Sequence, residues 1–90
     1  MERGIFTVVK FDEGGVRGTP VNQRLVCVLD GGGKLAIWGS ETDSRNVDLV
    51  AGLTPPFRIE CDFQPPGAPQ AKNFGHTHWV KEGSFLKVLP

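Results

Sequence analysis

RLVCVLDGGGKLAIWGS, residues 24–40, is the stretch that decides the fold of this chain. Its first half is apolar at nearly every position, which predicts a central strand over Gln23–Leu29 with both faces largely covered. Asp30 and the three glycines after it tolerate the positive φ angles that a tight hairpin turn needs. In the second half, Leu35 and Ile37 share one face while Lys34, Ala36 and Trp38 share the other, which predicts a strand over Lys34–Trp38. We therefore expect a β-hairpin that ends in a tryptophan.

The triple glycine also has to be compared with phosphate-binding loops. Such loops continue into Gly-Lys-Ser/Thr and then into a helix, whose N-terminus holds the phosphate. In this chain Lys34 is followed by a strand-like run instead. We therefore interpret the glycines as a turn.

The rest of the chain adds three strand-like segments. Ile5–Phe11 is rich in β-branched and aromatic residues, and Phe57–Phe63 alternates apolar and charged side chains. His76–Leu89 is predicted as the last strand, which its Glu-Gly pair could interrupt. Asp12–Pro20 and Gln64–Gly75 are rich in glycine and proline, so both are predicted as loops.

One segment, Glu41–Leu53, has helical character. Its valines and leucines recur at the spacing of one helix face, and Asp43 or Ser44 is a candidate N-cap. Gly52 is a candidate end, and the two prolines that follow soon after cannot continue a helix. We expect one or two helical turns packed on the core.

Ten basic and ten acidic side chains leave the 90 residues with no net charge. Neutrality argues against a histone-like or polybasic mode of binding, but it leaves nucleic-acid binding open where stacking and a local basic strip contribute. The length predicts a single domain over residues 1–90. No apolar run reaches membrane-spanning length and the N-terminus has no signal-peptide pattern, so we expect a soluble, cytoplasmic protein without a membrane partner.

Cys27 and Cys61 lie inside apolar strand-like runs, 34 residues apart. Free buried thiols are the favoured interpretation, and a single disulfide between neighbouring strands is the alternative. Together with His76 and His78 they lack the close spacing that is typical of zinc sites, so we predict no metal and no cofactor. No nucleophile, base and acid are arranged for catalysis either, which predicts a protein that is not an enzyme.

The predicted element order is three strands, a short helix and two strands. In a small all-β chain this order predicts a five-stranded barrel of the oligonucleotide/oligosaccharide-binding (OB) type, with the helix between strands 3 and 4. Closure of the barrel would also remove open strand edges, which promote aggregation. The alternative is an SH3-like barrel, which does not normally carry a capped helix at that point.

GKLAIWGSE, residues 33–41, resembles the third-strand signature of single-stranded DNA-binding OB domains of the replication protein A type. In that family an aromatic residue at the end of strand 3 precedes a small or polar residue, an acidic residue and the inter-strand helix. The resemblance covers nearly the whole chain as element order, but as residues only this stretch and an aromatic in the loop after strand 4. It implies binding of single-stranded DNA or RNA across strands 2 and 3 with low sequence specificity.

The resemblance implies that Trp38 stacks on a nucleobase. Strand alternation separately places the Trp38 side chain on the face opposite Leu35 and Ile37. The alternative is that Trp38 belongs to the core. Phe74, in the loop after strand 4, matches the family's second stacking aromatic. Trp79 is a further candidate, ranked behind Phe74 because it falls in the predicted last strand.

Four basic residues are candidate phosphate contacts near these aromatics: Arg17, Arg24, Lys34 and Lys72. Each one is also interpretable as an ordinary solvated charge. Glu60 and Asp62 on strand 4 would repel phosphate, so that face should lie outside any nucleic-acid groove. The alternative function is an OB-like interaction subunit, in which Trp38 docks a protein partner or a second copy of the chain.

Overall fold

The structure is a computed structural model that describes residues 2–65 and 77–90. It is mostly β, with one short helix between the third and fourth strands, as the sequence predicts. The strands and the helix are β1 (Glu2–Gly18), β2 (Gln23–Leu29), β3 (Lys34–Gly39), α1 (Arg45–Ala51), β4 (Phe57–Phe63), β5 (Thr77–Val80) and β6 (Leu86–Leu89).

The β2–β3 hairpin forms as predicted. Its strands are antiparallel and stay in register along their whole length. The Leu29 amide closes the turn by donating to the Gly33 carbonyl over 2.8 Å. Gly31 and Gly32 have φ angles of 94° and 99°, a conformation that residues with a Cβ atom rarely adopt. The glycine run is therefore a turn, as its sequence context indicated.

β1 is longer than predicted, which corrects the interpretation of Asp12–Pro20 as a loop. The strand continues as far as Gly18. Its first part pairs with β4 and its second part pairs with β2. The register with β2 shifts between Val8 and Lys10 and again after Phe11, and such irregularities bend and twist a strand. The glycine-rich sequence thus belongs to a bent strand.

The last predicted strand is two strands, which makes six in the described segments where the sequence predicted five. Gly83, with a φ angle of 75°, lies in the turn between them. β5 pairs in parallel with β3, and β6 pairs antiparallel with β4, giving the sheet order β5-β3-β2-β1-β4-β6. Gln64, just after β4, exchanges backbone hydrogen bonds of 2.8 and 3.1 Å with Trp79. β5 therefore also contacts the end of β4.

α1 lies where a helix was predicted but is shorter than Glu41–Leu53. Ser44 precedes it, and the Ser44 hydroxyl donates to the Asp48 carboxylate over 2.7 Å instead of capping a backbone amide. Val47 and Val50 are fully buried, so the helix presents one apolar face to the sheet.

The core lies between the inner face of the sheet and α1. It is one cluster of buried apolar side chains: Val8, Leu25, Cys27, Leu29, Leu35, Ile37, Val47, Val50, Ile59, Cys61, Phe63 and Val80. β2, β3 and β4 contribute alternate positions, because successive side chains of a strand point to opposite faces. β1 and β5 contribute Val8 and Val80, and Leu86 and Val88 of β6 pack against the cluster. Within residues 2–65 and 77–90, no helix has the length and apolar character needed to cross a membrane.

Gly39 should be required for the packing of α1 on β3. A Cβ atom there would lie 2.9 Å from Val47 Cγ2 and 3.4 Å from the Asp43 carbonyl oxygen. Gly39→Ala should therefore lower the free energy of unfolding by about 1–3 kcal/mol. Gly33→Ala is the matched control, because its Cβ atom would meet Leu29 Cδ1 at an ordinary 3.7 Å. Urea unfolding measures both, and equal stability of the two variants would contradict this packing.

Candidate functional site

Trp38 lies near the end of β3, on the face opposite the core. Leu35 and Ile37 are fully buried, and alternation along the strand turns Trp38 away from them. The Trp38 side chain is half-buried, and it is not part of the buried core cluster. Part of the indole is therefore accessible from outside the sheet.

Trp79 on β5 is the aromatic neighbour of Trp38. β5 runs parallel to β3 with Trp79 aligned with Ala36, so both indoles belong to the outer face. Their ring centroids are 6.4 Å apart and their planes meet at 83°, the edge-to-face arrangement that aromatic pairs favour. Ala36 is only 1% exposed. Two half-buried indoles at right angles thus flank a small residue on this face.

Three of the predicted site residues lie in one row across the sheet. Arg17 on β1 is the cross-strand partner of Arg24 on β2, and Arg24 is the partner of Trp38 on β3. Directly opposed residues share a face of the sheet. The Arg24 guanidinium carbon lies 6.0 Å from the centroid of the Trp38 ring, at the outer limit of a cation–π contact. The row therefore brings positive charge up to the tryptophan pair.

A cleft of about 210 Å³ opens beside the two indoles. Its lining residues come from the β1–β2 turn, from β3, from β5 and from the turn after β5: Asn22, Trp38, Gly39, Trp79, Lys81 and Glu82. Asn22 is fixed by two backbone hydrogen bonds of 3.1 Å with Thr19. The cleft thus combines two aromatic walls with one amide, one cation and one carboxylate.

The loop after β3 holds Glu82 beside the cleft. Ser40 donates its hydroxyl hydrogen to the Glu82 carboxylate. The Ser40 oxygen lies 2.9 Å from the Thr42 hydroxyl and accepts a 3.2 Å hydrogen bond from the Asp43 amide. Because a serine hydroxyl has one proton and Ser40 gives it to Glu82, Thr42 is the donor to Ser40. This chain of hydrogen bonds restricts where the carboxylate can lie.

Lys34 lies at the far end of β3 from Trp38. Four residues along a strand correspond to roughly 13 Å. The Lys34 ammonium forms an ion pair with Asp12 at 2.9 Å, and both side chains are partly exposed. The structure therefore brings Arg17 and Arg24 to Trp38 but leaves Lys34 outside the cleft.

Lys72 and Phe74 lie outside the described residues, and so does His76. Stacking by Phe74 and a phosphate contact by Lys72 stay predictions. Among the described residues, the site includes Trp79, which the sequence ranked behind Phe74, and also Asn22, Lys81 and Glu82. Alternation along the last strand could have indicated the face on which Trp79 lies. It could not indicate which strand pairs with β5.

The outer face of β4 carries an ion pair. Arg3 Nε donates to Asp62 Oδ1 over 2.7 Å, and Arg3 Nη2 donates to Asp62 Oδ2 over 3.3 Å. This hydrogen bonding lowers the pKa of Asp62 and raises the pKa of Arg3. The Arg3 guanidinium carbon also lies 4.1 Å from the centroid of the Phe85 ring. The Arg3 guanidinium and the Asp62 carboxylate are therefore matched on this face.

Cys27 and Cys61 are free and buried, as the favoured interpretation predicted. Burial is the main reason why the pKa of each thiol rises to about 12. A thiolate is the form that attacks electrophiles and binds metals, so neither side chain is suited to that chemistry. No group of three His, Cys, Asp or Glu side chains that could hold a metal ion occurs in the part of the chain that the structure describes.

A larger cleft, of about 540 Å³, lies between α1 and the β5–β6 turn. Leu49 and Phe85 line it and are 46% and 38% exposed. Its one charged lining residue in the described segments, Arg45, lies 3.5 Å from the Asp43 carboxylate. None of the predicted site residues that the structure describes lines this cleft.

No protein-family model, no curated protein and no solved structure matches the chain.

The two thiols should be unreactive in the folded protein. At pH 8 a thiol-exchange reagent should modify less than about one tenth of them in the time that a denatured sample needs for complete reaction. Rapid reaction of the native protein would contradict their burial.

The same two thiols should make the stability of the protein depend on pH. Unfolded thiols lose protons near pH 9.0 and folded ones near pH 12, so the unfolded state binds fewer protons between these values. The free energy of unfolding, measured by urea unfolding at a series of pH values, should consequently fall as the pH rises through that range.

Proposed function

We propose that the chain is an OB-type domain that binds single-stranded nucleic acid on the outer face of β2, β3 and β5. Three features support the OB assignment: β1 is shared between β2 and β4, β5 runs parallel to β3, and α1 lies between β3 and β4. The hydrogen bonds between Gln64 and Trp79 join β5 to the end of β4 and would close a ring of five strands. β6 would then be an additional strand on β4.

The tryptophan pair is the observation that carries the functional proposal. Trp38 and Trp79 are half-buried on a face of the sheet that does not contribute to the core, with ring centroids 6.4 Å apart. A nucleobase can stack on such a ring, and each stacked base contributes roughly 1–3 kcal/mol. Accessible aromatic surface next to cations is the combination that single-stranded nucleic acids require.

Cationic side chains near the pair support nucleic-acid binding. Arg17 and Arg24 form the row beside Trp38, and Lys81 and Glu82 line the cleft. A strand of phosphates running along the row would meet positive charge on both sides of the indoles.

Removal of either indole should weaken binding of a fluorescently labelled single-stranded oligonucleotide by about 5- to 100-fold, because one stacking contact is lost. Trp38→Ala and Trp79→Ala are compared with Phe85→Ala, an exposed aromatic that lines the cleft beside α1 and not the cleft beside the tryptophans. Anisotropy at low salt measures affinity, and circular dichroism confirms that each variant is folded. If the wild-type protein gives no change up to about 100 µM strand, the proposal is wrong.

The arginine row should contribute through phosphate contacts. Arg17→Gln and Arg24→Gln should each reduce the slope of log affinity against log salt by about 0.7, the value for one contact to a single strand. Arg58→Gln is the matched control, because Arg58 is an exposed arginine on β4. Identical slopes for all three variants and the wild type would exclude the row as a phosphate track.

The alternative, an interaction subunit, makes a different prediction for Trp38→Ala. In that case the wild-type protein would sediment as an oligomer, the variant would dissociate, and neither would bind nucleic acid.

A further inference from the structure

The cleft beside the tryptophan pair contains groups that stacking does not use. Stacking needs one ring face and tolerates every base. Here a second indole stands at 83° to the first, and Asn22, Lys81 and Glu82 complete the walls. A base that lies flat on one indole therefore points its edge at the other ring and at these polar groups.

The cleft has room for a nucleobase. Its volume is about 210 Å³. The polar groups lie on segments that are fixed independently: Asn22 by its turn with Thr19, and Glu82 by the Ser40 hydroxyl. A base in the cleft would thus meet a carboxylate that the Ser40 hydroxyl already holds in position.

Glu82 decides which base edge is favoured. An ionised carboxylate only accepts hydrogen bonds, and one of its two oxygens already receives the Ser40 hydroxyl. The exocyclic amino group of cytosine donates to a carboxylate, whereas uracil and thymine present a carbonyl oxygen at the same position. A carboxylate beside that oxygen is repulsive, so the same group selects for one pyrimidine and against the others.

We propose, on the basis of the nucleic-acid-binding function argued above, that this cleft reads one base of the bound strand and prefers cytosine to uracil and thymine. Trp38 and Trp79 hold the ring, and Glu82 accepts a hydrogen bond from its amino group. Ser40 acts through Glu82 as a positioning residue, with its own oxygen held by Thr42 and the Asp43 amide. The preference is therefore set at one position of a strand that is otherwise bound by stacking and charge.

The test compares short oligo-deoxycytidine with oligo-deoxyuridine, which differ on the pyrimidine ring only in the group at C4 and the proton at N3. The wild-type protein should bind the cytosine strand about tenfold more tightly. Glu82→Gln should bring the ratio to about one, since an amide both accepts and donates. Ser40→Ala should also lower the ratio of cytosine to uracil affinity, and it leaves the charge of the chain unchanged.

Glu41→Gln is the matched control. Glu41 is exposed and does not line the cleft, and its substitution changes the net charge by the same amount as Glu82→Gln. Both variants should bind all strands somewhat more tightly, but only Glu82→Gln should alter the ratio. Equal binding of both strands by the wild-type protein, or an unchanged ratio in Glu82→Gln, would overturn base reading and leave the proposed function intact. If the wild-type protein binds neither strand, base reading and the proposed function are both wrong.

Discussion

Parallel pairing of β5 with β3 is the constraint on which the rest of the molecule depends. It aligns Trp79 with Ala36 and Val80 with Ile37. Alternation then sends Val80 into the core, where it is fully buried, and leaves Trp79 on the outer face beside Trp38. A slip of one residue would exchange these two side chains. The same backbone contact therefore completes the core and assembles the aromatic pair.

The packing of the core-facing side of β5 also depends on the pairing of β5 with β3. His78 is aligned with the buried Leu35, and its ring centroid lies 5.8 Å from that of Phe6 and 5.5 Å from that of Phe63. β1, β4 and β5 thus meet through aromatic contacts at one end of the core. The stability of the site is in this way tied to the packing beneath it, because β5 cannot shift on β3 without disturbing these rings.

Local patterns predicted the elements that are determined locally. The β2–β3 hairpin, β4 and the position of α1 followed from alternation, turn glycines and helical spacing. The extent of β1 did not, because glycines that signal a loop also allow a strand to bend between two partners. The partner of β5 is set by contacts more than 40 residues apart in sequence, as in the pairing of Ile37 with Val80. For that reason Trp79 could be recognised as a candidate but not placed next to Trp38.

If nucleobases contact the Trp38–Trp79 face, the two indole N–H signals of the folded protein should report that contact. The chain has two tryptophans, so two such signals are expected in a ¹H–¹⁵N correlation spectrum. Titration with an unlabelled single-stranded oligonucleotide should shift both signals together with backbone amides of β2 and β3. Shifts confined to α1 and the β5–β6 turn, or no shifts at all, would rule out base contact at the tryptophan pair.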